Sequence, residues 1–166
     1  MGASGFQPLA ASTAKVLVLG TLPGEESLRR GEYYAHPRNA FWRIVEAVFG
    51  ISAHLPYVER VHELNRRGVA LWDVCATAKR RGSLDTAIRA VVPNDFASFL
   101  KLHPELELIC FNGAKAGELF RKHVKLESPV PCCDLPSTSP ANAAISFAEK
   151  VRRWSSIREV CEQSGR

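Results

Sequence analysis

An α/β fold, with a parallel sheet covered by helices on both faces, is the architecture this sequence predicts. Three observations carry the prediction. Four short apolar runs, at residues 16–20, 69–74, 106–111 and 131–135, have strand length and are bounded by turn residues. Helix-length segments with apolar residues recurring at three and four positions lie between them. Unusual polar loops follow the runs, at 21–39, 73–81, 112–115 and 136–142, and in a parallel sheet such loops gather on one edge. Ligands of open α/β sheets bind in that crevice, outside the carboxyl ends of the strands.

Taken in order, residues 1–13 lack a basic start and a long apolar segment and are expected as a loose arm. Residues 14–166 then form a single domain, since 166 residues at 46% hydrophobic content suffice for one sizeable core. Val16-Leu17-Val18-Leu19-Gly20 is a buried strand ended by glycine. Phe41, Ile44, Val45 and Val48 share one helical face, and Gly50 stops that helix. Leu55, Val58, Val61 and Leu64 mark a second helix, closed by Arg66-Arg67 and Gly68, with cations beside the last carbonyls.

The run 69–74 is the second strand. Gly82-Ser83 predicts a short helix with Ser83 as its N-cap, and Pro93-Asn94-Asp95 opens another from Phe96 towards His103. The third strand, 106–111, leads into a crossover helix over 114–123. The fourth strand, 131–135, precedes the longest helix, whose stripe is Ile145, Ala148, Val151, Trp154, Ile157 and Cys161.

A net charge of +5 favours acidic partners, nucleic acid foremost. The basic pairs are scattered, and each alone reads as a solvated helix face. Five cysteines form no C-x-x-C pair and no zinc spacing; Cys110 and Cys132 read as small buried hydrophobes. The odd count and the absence of a secretory pattern predict a cytoplasmic setting. No apolar window is long enough for a membrane span.

Gly20-Thr21-Leu22-Pro23-Gly24 lacks the ending of a P-loop and is not a dinucleotide fingerprint. No nucleophile elbow is present. Ser137 or Ser139 could pair with His36, but no carboxylate is obviously placed to orient that histidine. What remains is a cluster of aromatic, amide and carboxylate side chains in a basic protein. Flat rings stack bases, amides and carboxylates read their edges, and small residues let backbone N–H groups approach phosphates. Such a site suits an enzyme acting on one nucleobase taken out of DNA.

The segment Tyr34-Ala35-His36-Pro37-Arg38-Asn39-Ala40-Phe41-Trp42, after Gly20-Thr21-Leu22-Pro23-Gly24, resembles the first motif of the uracil-DNA glycosylase superfamily. Leu71-Trp72-Asp73-Val74, Gly82-Ser83-Leu84-Asp85, Phe111-Asn112-Gly113 and Leu135-Pro136-Ser137-Thr138-Ser139-Pro140-Ala141-Asn142 complete the pattern. Together they most resemble its hypoxanthine-DNA (deoxyinosine) glycosylase branch. The resemblance implies a three-layer α/β/α fold around a four-stranded parallel sheet. It also implies a monofunctional, monomeric enzyme in base-excision repair, hydrolysing the glycosidic bond of a flipped deaminated base without metal or cofactor. A mismatch-type uracil glycosylase, or a DNA-binding protein that has lost its catalyst, fits the same motifs.

Where relatives carry Asp or Asn to handle the attacking water, this chain has Leu22, which can neither accept nor donate a proton and is left a base-contacting place. The resemblance gives the catalytic role to Asn39, an amide that holds water against the anomeric carbon; an ordinary N-cap is the alternative. Tyr34 is placed to stack on the extruded base, or to pack under its own loop. Asp73 stands where uracil enzymes read the base, or caps the following loop; an ionised carboxylate there accepts an N–H but cannot donate to a carbonyl. Ser137 takes the place of a residue that stabilises the leaving base. Asn112 is assigned to base binding, and Gly24, His36, Lys115 and Ser139 to the DNA backbone. Ala141 stands where relatives insert a bulky wedge, which predicts a preference for weakly stacked bases.

Overall fold

A computed structural model describes residues 2–163. Its centre is a four-stranded parallel sheet in the spatial order β3 (Val69–Asp73), β2 (Val16–Gly20), β6 (Leu108–Asn112), β7 (Cys132–Leu135). β2 is buried along its whole length because it has a strand on each side and a helical layer on each face. Alternation along the strand divides the core. Val16 and Val18 point into a cluster with Phe41, Ile44, Leu64 and Trp154, while Leu17 and Leu19 point into another with Phe96, Phe99, Leu119 and Phe120.

The first cluster is covered by α2 (Phe41–Phe49), α3 (Tyr57–Arg66) and α6 (Phe147–Gln163); the second by α4 (Phe96–Leu102) and α5 (Ala114–His123). The three-layer α/β/α arrangement around four parallel strands therefore stands as expected. The periodicity locates α5 from its first residue to its last, because its apolar stripe meets the sheet through the neighbouring Phe111 and Leu119. β2 and α2 also begin and end where the sequence places them, and the other strand and helix ends differ by one or two residues; Ile145 lies before α6, whose start is held by Ser146 Oγ accepting the Glu149 N–H at 3.1 Å.

Three expectations need correction. Residues 2–13 do not form a loose arm. Gly2–Ser4 is a strand, β1, paired antiparallel with β4 (Cys75–Lys79), and Leu9 bridges to Leu71. Trp72 Nε1 donates to the Phe6 carbonyl at 3.0 Å, and Tyr33 Oη to the Gln7 carbonyl at 3.1 Å.

Second, the stretch expected as a loop over 73–81 followed by a short helix from Ser83 is mostly strand. β1, β4 and β5 (Arg89–Pro93) form a small antiparallel sheet, and only Asp85–Ala87 is a single 3₁₀ turn. Ser83 does not cap a helix of its own; its Oγ accepts the Glu25 N–H at 2.9 Å. That contact serves α1 (Glu25–Arg30), a helix inside the segment expected to be all loop. Third, Cys132 is exposed, since β7 is an edge strand.

Candidate active site

The carboxyl ends of β2, β3, β6 and β7 bring Gly20, Asp73, Asn112 and Leu135 to one edge, in register across the sheet. Asp73 and Asn112 are buried polar residues there, at 4% and 7% exposure. Gly20 lies between them. A β-carbon on Gly20 would stand 2.6 Å from Asp73 Oδ1 and 3.3 Å from Tyr34 Oη, so only glycine allows the two groups to converge over the strand end.

Tyr34 reaches this point in a left-handed conformation, φ +58°, which costs a non-glycine residue roughly 1–2 kcal/mol. Neighbouring contacts hold it: the Ala35 N–H donates to Ser27 Oγ at 3.1 Å, and the Tyr34 ring stacks on Phe41 with centroids 4.1 Å apart. One face of the ring is thus occupied, and only the other could meet a base. Its hydroxyl and Asp73 Oδ2 are buried and make no hydrogen bond of good geometry, although the Asn112 amide lies near enough to the phenol to favour its ionised form slightly. Such atoms cost about 1–3 kcal/mol each when left unsatisfied. Two of them on one strand edge mark a place that a ligand would complete.

Burial, with the nearby Asp85, pushes the Asp73 carboxyl up to about 7, against a smaller opposing pull from Arg80. The neutral acid is therefore available near neutral pH and can donate as well as accept, unlike the ionised group the sequence suggests. Burial and Asp73 likewise push the Tyr34 phenol up, so it stays a hydroxyl donor.

Asn39 sits just before α2. Its Oδ1 accepts the Phe41 N–H at 2.9 Å, so it does serve the helix start, although Ala40 is the residue at the cap position itself. The bond occupies Oδ1 and leaves the Nδ2 donors unspent. His36 organises the same turn: its Nδ1 accepts the Arg38 N–H at 3.1 Å and its carbonyl accepts from Asn39 N–H at 2.9 Å. Ala40 N–H then donates to the Thr138 carbonyl at 2.9 Å, joining this turn to the loop after β7.

Asn112 spends its amide on that loop. It donates to Thr138 Oγ1 at 3.0 Å and accepts from Thr138 N–H at 2.9 Å. Ser137 Oγ accepts from Ser139 N–H at 3.1 Å, leaving its hydroxyl proton free, and Ser139 Oγ accepts from Ala141 N–H at 3.2 Å. Gly113, φ +96°, lets the loop pass close: a β-carbon would meet Ser137 Cβ at 3.0 Å. Lys115 pairs with Glu118 at 3.3 Å. Gly24 lies under Ser83 Oγ, 3.3 Å from its would-be β-carbon.

Leu22 is placed differently from a base contact. It is 5% exposed and its side chain packs into the cluster with Leu17, Leu19 and Trp72. Its carbonyl accepts from Arg80 Nη1 at 3.2 Å. Arg80, which the sequence did not single out, also donates to the carbonyls of Pro23 and, at 2.9 Å, Gly82. Thr21 Oγ1 donates to Asp85 Oδ1 at 2.8 Å beside it. The loop after β2 is thus shaped by a buried guanidinium from β4's end, and Thr138 is the second residue missed. Arg80 lies outside the motifs and Thr138 lies inside one without a role of its own; only the folded contacts reveal what they do. Among the described residues no group of three His, Cys, Asp or Glu side chains could hold a metal.

The family model for the Uracil DNA glycosylase superfamily matches residues 7–158. A hypoxanthine DNA glycosylase of Methanosarcina barkeri is 39% identical over 119 residues, 71% of this chain and 75% of that one. A hypoxanthine DNA glycosylase of Methanosarcina acetivorans is 35% identical over 156 residues, 92% of this chain and 96% of that one. Among solved structures, an NMR structure from Methanosarcina acetivorans, described as a candidate uracil DNA glycosylase, superposes with a TM-score of 0.83 at 34% identity. It covers 98% of this chain and 99% of its own.

Proposed function

The chain belongs to the uracil DNA glycosylase superfamily, and from that premise we propose that it is a monofunctional DNA glycosylase whose substrate is hypoxanthine in deoxyinosine. Membership, and the relatives named hypoxanthine DNA glycosylase, support a DNA glycosylase; the substrate is our reading. The observation that carries it is that Phe41 links the two halves of the site, its N–H held by the Asn39 amide and its ring stacked on Tyr34 of the buried Asp73–Tyr34 pair.

In this reading the base enters beside the free face of Tyr34. Its lactam edge presents an N–H to the Asp73 carboxyl and a carbonyl oxygen to whichever O–H faces it. Asn39 holds a water against C1′. As the C1′–N9 bond breaks, the sugar becomes cationic and the base takes the electron pair; the water oxygen bonds to C1′ and releases its proton to solvent. An amide contributes position and dipole here and takes no proton. The Ser137 hydroxyl, with its proton free, donates to the departing base.

Incubation with duplexes carrying one deoxyinosine, uracil or xanthine, followed by alkaline cleavage, tests the reading. Strand scission at deoxyinosine is expected. Intact strands with every duplex would remove the enzyme, and scission at uracil alone would displace the substrate.

A further inference from the structure

The strongest unassigned feature is a groove beside the Asn39 turn. It is an open cavity of about 140 Å³ between that turn, the loop after β7 and the start of α6. Arg38, Arg43 and Lys150 line it, with Ser139, Asn142 and Phe147, and no acidic side chain does. Elsewhere the arginine pairs that stand out in the sequence are largely neutralised: Arg29 and Arg30 by Glu26, Arg66 by Glu63, Arg152 and Arg153 by Glu149. The three groove cations have no ion pair among the described residues.

Two of them, Arg43 and Lys150, are held in place by something other than a counter-charge. The Arg43 guanidinium lies over the Phe147 ring, 5.1 Å from its centroid, which leaves its N–H edge open. Lys150 is 7% exposed and spends one N–H on the Asn142 carbonyl, at 2.8 Å, keeping two more. Burial, and then the Arg43 charge, press the Lys150 pKa downward, so an anion entering the groove relieves both. Arg38 and Ala40 flank Asn39 in the chain and both line the groove. The groove therefore adjoins the turn that carries Asn39.

We propose that this groove is a phosphodiester-binding site that grips the DNA strand next to the flipped nucleotide, with Arg38, Arg43 and Lys150 as its cations. The proposal rests on the DNA glycosylase reading for its ligand, but not on which base is removed. Phosphate contacts position a duplex without reading its sequence, and each phosphate neutralised releases counterions.

Binding of wild type and variants to a labelled duplex, with and without one deoxyinosine, is measured by anisotropy across a salt series. Arg43→Gln is expected to lower the slope of log affinity against log salt by about 1. At about 0.1 M salt this is a loss of about eightfold, the same on both duplexes. Lys150→Gln should act likewise, and Arg43→Lys, which keeps the charge, should recover the slope. Arg66→Gln, on α3 and paired with Glu63, should leave both quantities unchanged. Unaltered slope and affinity in Arg43→Gln would overturn the groove, whatever Lys150→Gln does to the loop it braces. If wild type releases no base yet binds DNA with an Arg43-dependent slope, the catalytic reading falls and the groove stands.

Discussion

Asp73 Oδ1 lies 2.6 Å from the point where a β-carbon on Gly20 would stand, so the end of one strand is shaped around the carboxyl group of its neighbour. Gly20 and Asp73 are direct partners across β2 and β3, and Tyr34 closes over both. Gly20→Ala forces one of the three to move. The expected cost is about 1–3 kcal/mol in urea denaturation, with excision falling much further than stability. An alanine variant of normal stability and turnover would show that the convergence of Asp73 and Tyr34 is incidental.

Asp73 also makes stability depend on pH. Its folded pKa of about 7 lies above the ordinary 3.8, so the folded chain keeps a proton that the unfolded chain has lost. Stability from this group therefore falls as pH rises from about 4 through about 7, and the loss is complete above that window. Asp73→Asn has no proton to lose. Its stability relative to wild type should grow across that range by an amount on the order of a few kcal/mol at pH 8. Parallel stability curves would remove the buried-acid account. The same variant should move base preference towards uracil.

Asn39 has two roles that separate by substitution. Asn39→Ala removes the bond to Phe41 N–H, costing about 1 kcal/mol of stability, and removes the amide. Asn39→Ser keeps a capping oxygen but no amide dipole. Both variants should lose about a hundredfold or more in single-turnover excision, while only alanine loses stability. Normal excision by the serine variant would reduce Asn39 to a helix cap.

Arg80 donates to three carbonyls, two of them, Leu22 and Pro23, in the loop after β2, and the third, Gly82, in its own. Arg80→Met leaves them without a donor and should cost about 3 kcal/mol or more. Arg80→Lys should restore little, because a single ammonium cannot span what the planar fork spans. Full recovery by lysine, measured by denaturation, would show that charge alone is what the loop needs.

The N-terminal strand should matter to stability. Deleting residues 1–9 removes β1, the Leu9–Leu71 bridge and the carbonyl bound by Trp72. A loss on the order of a few kcal/mol is expected, from several hydrogen bonds at about 1 kcal/mol each. A truncated chain as stable as the full one would return these residues to the status of a free arm.

The parallel sheet and its covering helices were legible in the sequence because their signals are local: an apolar run at 16–20, a 3.6-residue stripe over 114–123, glycines at element ends. The motifs around Asn39, Asp73 and Ser137 were legible for the same reason, as short strings at strand ends. What the sequence by itself determined is therefore the parallel sheet and the edge at which its strand-end loops gather. Only the tertiary structure decided that Gly2–Ser4 pairs with Cys75–Lys79, that Arg80 holds Leu22 and Pro23, and that Thr138 answers Asn112. Those pairings join residues from 26 to more than 70 positions apart, and no local pattern announces which residue answers which. The raised pKa of Asp73 and the charges of Arg38, Arg43 and Lys150, unpaired among the described residues, are likewise set by what surrounds each group in space, because desolvation and ion pairing depend on neighbours that the chain brings together only when it folds.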